Sequence, residues 1–300
     1  MELSAYKKDQ GVIDPVHSSL TGISFNFCPF KHHQSSRWVN HSHHDKITLH
    51  DQGPLSSEAQ VFMKRSYLVL IDPSTRYPET EVCERITRLS PLPVLRISPA
   101  LALTSPDEYL GIEALHSLPP DHVKALIILG SAASPVEPLD WQTALIEWLT
   151  SPSGPLSRSY PILGICYGHQ LLGYLAGGQI DILWEGASMK GIREITLRED
   201  TLGLKAHLSY PMIVSHREGL RSAPEDWINL SLHAQILGLN PLQPTRAVEV
   251  MKHRDHPWWG FQAHVDATEE FVVQNEIPTS FPSPYAGSYV IHSFLKYIQS

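Results

Sequence analysis

The chain has 300 residues, of which 42% are hydrophobic and 18% are charged, so it suits one large domain or two small ones and is not globally disordered. With 23 basic and 31 acidic residues the formal net charge is −8, which argues against a nucleic-acid-binding protein, because such a protein would carry a basic face. Three widely spaced cysteines predict no disulfide framework and favour a reducing, cytoplasmic location. No apolar run approaches the roughly 20 residues of a membrane span, and none follows the opening MELSAYKKDQ, so we expect neither a span nor a secretory signal.

The first sixty-odd residues differ in composition from the rest. They hold seven of the 17 histidines and little periodic apolar pattern. We therefore predict a His-rich N-terminal extension over 1–64 and a single domain over 65–300. Cys28, His32, His33, His41 and His43 are candidate metal ligands, but they lack the tight, regular spacing of zinc sites, so no metal site is predicted.

From Tyr67 onward, short apolar runs alternate with helical stretches. The predicted strands are Tyr67–Asp72, Leu92–Ile97, Lys124–Leu129 and Pro161–Ile165, and the predicted helices are Pro78–Leu89, Pro106–His116, Leu139–Leu149 and Gly168–Ala176. This alternation predicts βαβ units in an α/β fold, with a mostly parallel open sheet flanked by helices. Later runs predict added antiparallel strands and two closing helices: strands Ile192–Leu197, Pro211–Val214, Arg246–Met251 and Gly260–Gln262, and helices Thr268–Asn275 and Gly287–Ile298.

The segment Gly164-Ile165-Cys166-Tyr167-Gly168 carries the sharpest chemical signal. It lies between a predicted strand and a predicted helix, and its spacing is that of a nucleophile elbow with cysteine in place of serine. An elbow would lift Cys166 to the carboxyl edge of the sheet and place its sulfur at a helix N-terminus, where the partial positive charge favours a thiolate. The alternative is a buried structural cysteine between two chance glycines.

A cysteine nucleophile needs a base, and the base needs a group that orients it. His264 follows a predicted strand, so a loop at the sheet edge could present it, and Asp266 lies two residues further on. Ten histidines lie outside the N-terminal extension, so spacing alone does not select His264.

The segments GICYGHQ and GFQAHVD together resemble the class I, triad-type glutamine amidotransferase family. Four further segments occur in that family's order: VLIDPSTRY at the first strand, IILGSAASP at the oxyanion strand, YPILGICYGHQLLGYLAGGQI around the elbow, and VSHREGL over the substrate. The resemblance covers roughly residues 65–275, and the stand-alone, GMP-synthetase-like branch is the most similar. It implies a flavodoxin-like three-layer fold without a cofactor.

The resemblance also implies a role for each matching residue. Cys166 would attack the side-chain amide carbon of glutamine, His264 would be the base, and Asp266 would be the third catalytic residue. The remaining matches fall into two sets: an oxyanion hole at Gly130, Ser131 and Tyr167, and a substrate pocket at Gln170, Ser215 and His216.

The chain departs from the family pattern at two places. Asp266 stands where the family has a glutamate, one methylene longer, and Glu269 and Glu270 on the next predicted helix are alternative partners of His264. Ser131 and Ala132 replace a Gly-Pro pair, which matters only if that turn needs a positive φ.

Three functions are consistent with these residues. The first is glutamine hydrolysis with ammonia passed to a separate synthetase or ligase chain. The second is hydrolysis of a larger γ-glutamyl conjugate by the same triad. The third is a non-catalytic binding or regulatory protein on this fold. No nucleic-acid or membrane partner is expected.

Overall fold

A computed structural model of the chain describes residues 66–182, 188–232, 236–237, 245–278, 280–282 and 285–300. The predicted extension over 1–64, with its cysteine and histidines, lies outside the described residues.

The described strands and helices follow one another in the alternating order that the sequence predicts. The strands are β1 (Tyr67–Ile71), β2 (Val94–Ile97), β3 (Val123–Ile128), β4 (Ile162–Ile165), β5 (Ile180–Ile182), β6 (Met189–Thr196), β7 (Ser209–His216), β8 (Glu218–Leu220), β9 (Trp227–Asn229), β10 (Ile236–Leu237), β11 (Thr245–Arg246), β12 (Val250–His253) and β13 (Trp258–Phe261). The α-helices are α1 (Thr80–Leu89), α2 (Pro99–Ala102), α3 (Glu113–His116), α4 (Asp140–Thr150), α5 (Tyr167–Leu175), α6 (Glu269–Gln274) and α7 (Ala286–Tyr297), and a 3-10 helix spans Pro120–His122.

Seven strands form the central sheet in the order β2-β1-β3-β4-β13-β12-β9. The first five are parallel to one another, and β12 and β9 add an antiparallel edge. Numbered along the chain, the parallel strands have the order 2-1-3-4-5 of flavodoxin-like folds, which confirms the predicted fold class. In such sheets ligands bind at the carboxyl ends of the strands.

Helices cover both faces of the sheet because successive side chains along each buried strand point to opposite sides. In β1, Leu68 and Leu70 belong to a core shared with α1 and α7, whereas Val69 and Ile71 belong to a core shared with α4 and α5. The result is the three-layer arrangement.

The other described strands form two-stranded ribbons. The longest pairs β6 with β7, antiparallel along eight residues each, and it ends at His216. A shorter ribbon pairs β5 with β8. None of the described helices is long and apolar enough to cross a membrane.

Two predicted elements are wrong. Of the helix predicted over Pro106–His116 only the last turn, α3, forms, because Gly111 lies inside the predicted helix and glycine disfavours a helix interior. A separate turn, α2, precedes it. The strand predicted over Arg246–Met251 is split between β11 and β12. Between them Val248 leaves the sheet, because its N–H donates to Leu220 O and its carbonyl oxygen lies 2.9 Å from Nε2 of His169.

Candidate functional site

Cys166 lies in the turn between β4 and α5, at the carboxyl end of the sheet. Its φ of 51° and ψ of −101° place it in a region that residues other than glycine rarely occupy, at a cost of about 1–3 kcal/mol. A Cβ on Gly164 would lie 2.5 Å from the carbonyl oxygen of Gly168, and a Cβ on Gly168 would overlap that of Ile128. The strained turn and its two close approaches are the geometry of a nucleophile elbow.

His264 follows β13 and is held on several sides. Its N–H donates to Ile213 O at 2.9 Å, and its carbonyl oxygen accepts a 2.5 Å hydrogen bond from the hydroxyl of Tyr285. Its ring packs at a tilt on Phe271, with 4.4 Å between the ring centroids. These contacts fix the imidazole in a buried position above the sheet edge.

The carboxylate that contacts His264 is that of Asp266, two residues further along the same loop. Its Oδ1 lies 3.4 Å from Nδ1 of the imidazole, and both side chains are buried. Neither atom is aligned for a hydrogen bond, so the contact is electrostatic. The alternative partners predicted from sequence, Glu269 and Glu270, are exposed in the first turn of α6.

The electrostatics of the site favour a charged imidazole. Burial lowers the pKa of His264, but the negative charges of Cys166 and Asp266 and the polar contacts with them outweigh this effect, so the pKa lies well above its usual value. An imidazolium beside a thiolate is the state in which a cysteine nucleophile is ready to attack.

The loop after β3 lies beside both Cys166 and His264. A Cβ on Gly130 would lie 2.7 Å from Cε1 of His264 and 3.5 Å from Cβ of Cys166, so only glycine fits between them. The φ of Ser131 is not in the left-handed region, so a side chain is tolerated there, and its hydroxyl donates to Pro73 O at 2.7 Å. Tyr167 begins α5, so its N–H has no acceptor within the helix.

A chain of side-chain amides leads to the sulfur. Nε2 of Gln170 donates to Glu218 O at 2.8 Å and to Oε1 of Gln262 at 3.1 Å, and Nε2 of Gln262 donates to Sγ of Cys166 at 3.7 Å. Gln262 is fully buried. Gln262 is not among the residues predicted from sequence. The signal that could have identified it is a polar residue directly after a wholly apolar strand and two positions before His264.

The two residues at the end of β7 also reach the site. The carbonyl oxygen of Ser215 lies 3.8 Å from Sγ of Cys166. Nδ1 of His216 lies 2.8 Å from Glu218 O, whereas its buried Nε2 has no hydrogen-bond partner among the described residues. Burial lowers the pKa of His216 to about 4, so its ring is neutral near pH 7.

Cys166 and His264 open into a cleft of about 730 Å³, within the range of about 300–1,000 Å³ for small-molecule sites. Seven of the nine predicted site residues line it: Gly130, Ser131, Cys166, Gln170, Ser215, His216 and His264. Tyr167 and Asp266 lie behind this surface. Among the described residues, no group of three or more His, Cys, Asp or Glu side chains is placed to hold a metal ion.

Glu79 lines the same cleft and is a second residue that the sequence did not predict. It is half-buried at the start of α1, and its N–H donates to Oδ2 of Asp72 at 3.2 Å. Burial, the Asp266 carboxylate and, less strongly, Asp72 raise its pKa to about 7, although His264 and Arg96 act in the opposite direction.

Comparison with known proteins identifies the family. A family model described as glutamine amidotransferase class-I matches residues 111–270, more than half of the chain. A glutamine-hydrolyzing GMP synthase subunit of Methanothermobacter thermautotrophicus is 33% identical over 106 residues, which cover 35% of this chain and 50% of that protein. Gamma-glutamyl peptidase 3 of Arabidopsis thaliana is 29% identical over 112 residues, which cover 35% of this chain and 43% of that protein. The chain thus spans about half the length of the curated relatives it matches.

Solved structures share the fold. A protein from Thermoplasma acidophilum, described as a GMP synthase subunit, has a TM-score of 0.53 at 15% identity and covers 78% of this chain and 94% of its own. A glutamine amidotransferase from Thermotoga maritima has a TM-score of 0.53 at 12% identity and covers 78% and 98%.

Proposed function

Because the chain belongs to the class I glutamine amidotransferase family, we propose that it hydrolyses the side-chain amide of glutamine through a γ-glutamyl thioester on Cys166. The observation that carries this proposal is the strained elbow at Cys166 beside a buried His264 whose pKa is raised. A free thiol is required, and Cys166 is a free cysteine, which suits a reducing compartment such as the cytoplasm.

The reaction would proceed in two halves. Sγ of Cys166 attacks the amide carbon, and the N–H groups at Gly130, Ser131 and Tyr167 stabilise the oxyanion, each such donor being worth about 100- to 1,000-fold in rate. The C–N bond then breaks, and the imidazolium of His264 gives its proton to the departing ammonia. Water next attacks the thioester with His264 as base, the C–S bond breaks, and glutamate leaves.

The substrate pocket would lie on the Gln170 side of Cys166. Gln170, Ser215 and His216 line the cleft there, and the unpartnered Nε2 of His216 is free to bond a polar group of the substrate. Ammonia would pass to a separate synthetase or ligase chain, a partner suggested by the relatives whose names describe subunits of GMP synthase.

A second candidate is hydrolysis of a larger γ-glutamyl conjugate by the same residues. The cleft favours it, because about 730 Å³ is room for far more than one free amino acid. The relative named gamma-glutamyl peptidase 3 is consistent with this alternative.

Release of glutamate from glutamine and from γ-glutamyl amides tests the proposal. We expect the wild type to release glutamate, Cys166→Ala to release none, and a glutamine analogue with an electrophilic side chain to label Cys166. Cys83→Ala is the matched control, because Cys83 is a free, buried cysteine in the core outside the cleft. Wild-type protein that releases glutamate from neither substrate class would instead support a non-catalytic binding protein.

A further inference from the structure

The cleft continues past Cys166 on the far side of His264. Phe271 packs on the imidazole, and one helical turn later the carbonyl oxygen of Asn275 accepts a 2.7 Å hydrogen bond from Nζ of Lys190. Both Phe271 and Lys190 line the cleft. His264 protonates the departing nitrogen in the proposed reaction, so the leaving amine must emerge on this side.

Glu79 lines the same cleft, near enough to His264 and Asp266 for their charges to act on it. Two contacts tie α1 to the segment after Asp266: Oγ1 of Thr268 donates to Glu81 at 2.5 Å, and the guanidinium of Arg85 donates to Ala267 O at 3.0 Å. They set the first turn of α1, with Glu79, beside the His264 loop.

The carboxylate of Glu79 is without a partner. Within the part of the chain that the structure describes, no side chain or N–H group donates a hydrogen bond to it, and no cation lies within ion-pair distance. A ligand in the cleft can therefore supply a hydrogen-bond donor to this half-buried carboxylate.

We propose that Glu79, Phe271 and Lys190 form a subsite for the leaving amine, and that the amine it accepts carries a carboxylate, as an amino acid or short peptide does. Glu79 accepts a hydrogen bond from the amine, Phe271 packs on its carbon chain, and Lys190 pairs with its carboxylate. This inference rests on the proposed thioester chemistry and extends it from glutamine to γ-glutamyl amino acids or peptides.

An amine in the subsite can take the place of water in the second half-reaction. An amine bound there attacks the thioester carbon with its nitrogen lone pair, the C–S bond breaks, the sulfur leaves as a thiolate with the electron pair, and the amine proton passes to His264. Nothing is oxidised or reduced. A γ-glutamyl amide forms in place of glutamate, so acceptor amines and water compete for one intermediate.

The ratio of transfer to hydrolysis tests this assignment. Both products come from the same thioester, so a change in the rate at which the thioester forms does not alter the ratio. Glutamine serves as donor, and alanine and alaninamide serve as acceptors that differ in a carboxylate. At pH 8, above the pKa of Glu79, we expect Glu79→Gln to lower transfer to both acceptors about tenfold relative to hydrolysis, because it removes the negative charge that strengthens the hydrogen bond from the amine. We expect Lys190→Met to lower transfer to alanine alone. Glu84→Gln, an equal change of charge on the exposed face of α1, leaves the partition unchanged.

Other outcomes would overturn the subsite, its preference for a carboxylate or the proposed function. An unchanged partition in Glu79→Gln, or a wild type that consumes the donor but transfers to neither acceptor, overturns the subsite. Equal losses for alanine and alaninamide in Lys190→Met overturn its preference for a carboxylate. A wild type that consumes no γ-glutamyl donor at all overturns the proposed function instead.

Discussion

The side-chain amide of Gln262 donates a hydrogen bond to the sulfur of Cys166, with 3.7 Å between Nε2 and Sγ. The same side chain accepts from Gln170, and the backbone N–H of Gln262 donates to Glu249 O, so the residue is held at both ends. A buried donor aimed at sulfur stabilises the thiolate more than the thiol.

Gln262→Met should therefore weaken the nucleophile without emptying the core, because methionine has a similar shape and no donor. We expect kcat/KM to fall about tenfold, a loss of roughly 1.4 kcal/mol for one hydrogen bond to a charged group. The rate of Cys166 alkylation at a fixed pH should be lower than in the wild type. The same replacement at Gln299, which is exposed near the end of the chain, should change neither measurement.

Asp266→Asn should lower the pKa of His264, since the Asp266 carboxylate is one of the groups that raise it. An imidazolium is present only below the pKa of His264, so the alkaline limb of the kcat/KM profile should move to lower pH. The magnitude of kcat should fall about tenfold to a hundredfold. A profile that keeps its alkaline limb in this variant would mean that another group, such as Glu79, holds His264 charged.

Gly130→Ala should inactivate the protein, because the added Cβ would lie 2.7 Å from Cε1 of His264 and would displace the ring. We expect kcat/KM to drop more than about 100-fold, in line with the loss caused by misplacing a catalytic group by about 1 Å. Gly111→Ala is the control, since its Cβ would come within 3 Å only of the flexible end of Glu113 and would lie 3.4 Å from Cβ of Ala102. Equal activities of the two variants would contradict the placement of His264 beside Gly130.

Acid should destabilise the fold through His169, which is fully buried in α5 with its Nε2 2.9 Å from Val248 O. Burial lowers the pKa of His169 to about 4, whereas an unfolded histidine titrates near 6.5. The unfolded chain therefore takes up the proton first, and the stability contributed by neutral His169 is present above about pH 6.5 and is lost as the pH falls towards 4. At pH 5 the expected loss from this residue is about 2 kcal/mol.

Urea denaturation at pH 7 and pH 5 measures this loss in the wild type and in His169→Gln. Glutamine keeps a donor for Val248 O but does not titrate. The variant should lose less unfolding free energy between the two pH values than the wild type does, and an equal loss in both proteins would contradict the assignment. The variant His292→Gln, at an exposed position on α7, should behave like the wild type.

Much of this protein was predictable from local sequence. The alternation of apolar strands with helical stretches is a property of neighbouring residues, so the three-layer fold and the elbow at Cys166 could be inferred from the residues alone. Gly111 shows the limit of such reasoning, because the apolar residues around it suit a helix, whereas the structure forms only the turn Glu113–His116 after it.

The sequence by itself determined the α/β class, the strand–elbow–helix unit and the family resemblance, because each depends on residues close together in the chain. Only the tertiary structure decided which groups meet Cys166. Gln262 and His264 come from the segment after a strand about a hundred residues away, and Glu79, which lines the same cleft, comes from the start of the first helix. The parallel sheet brings their carboxyl-end loops to one edge, and contacts across that edge are set by strand order and packing, which no local spacing encodes.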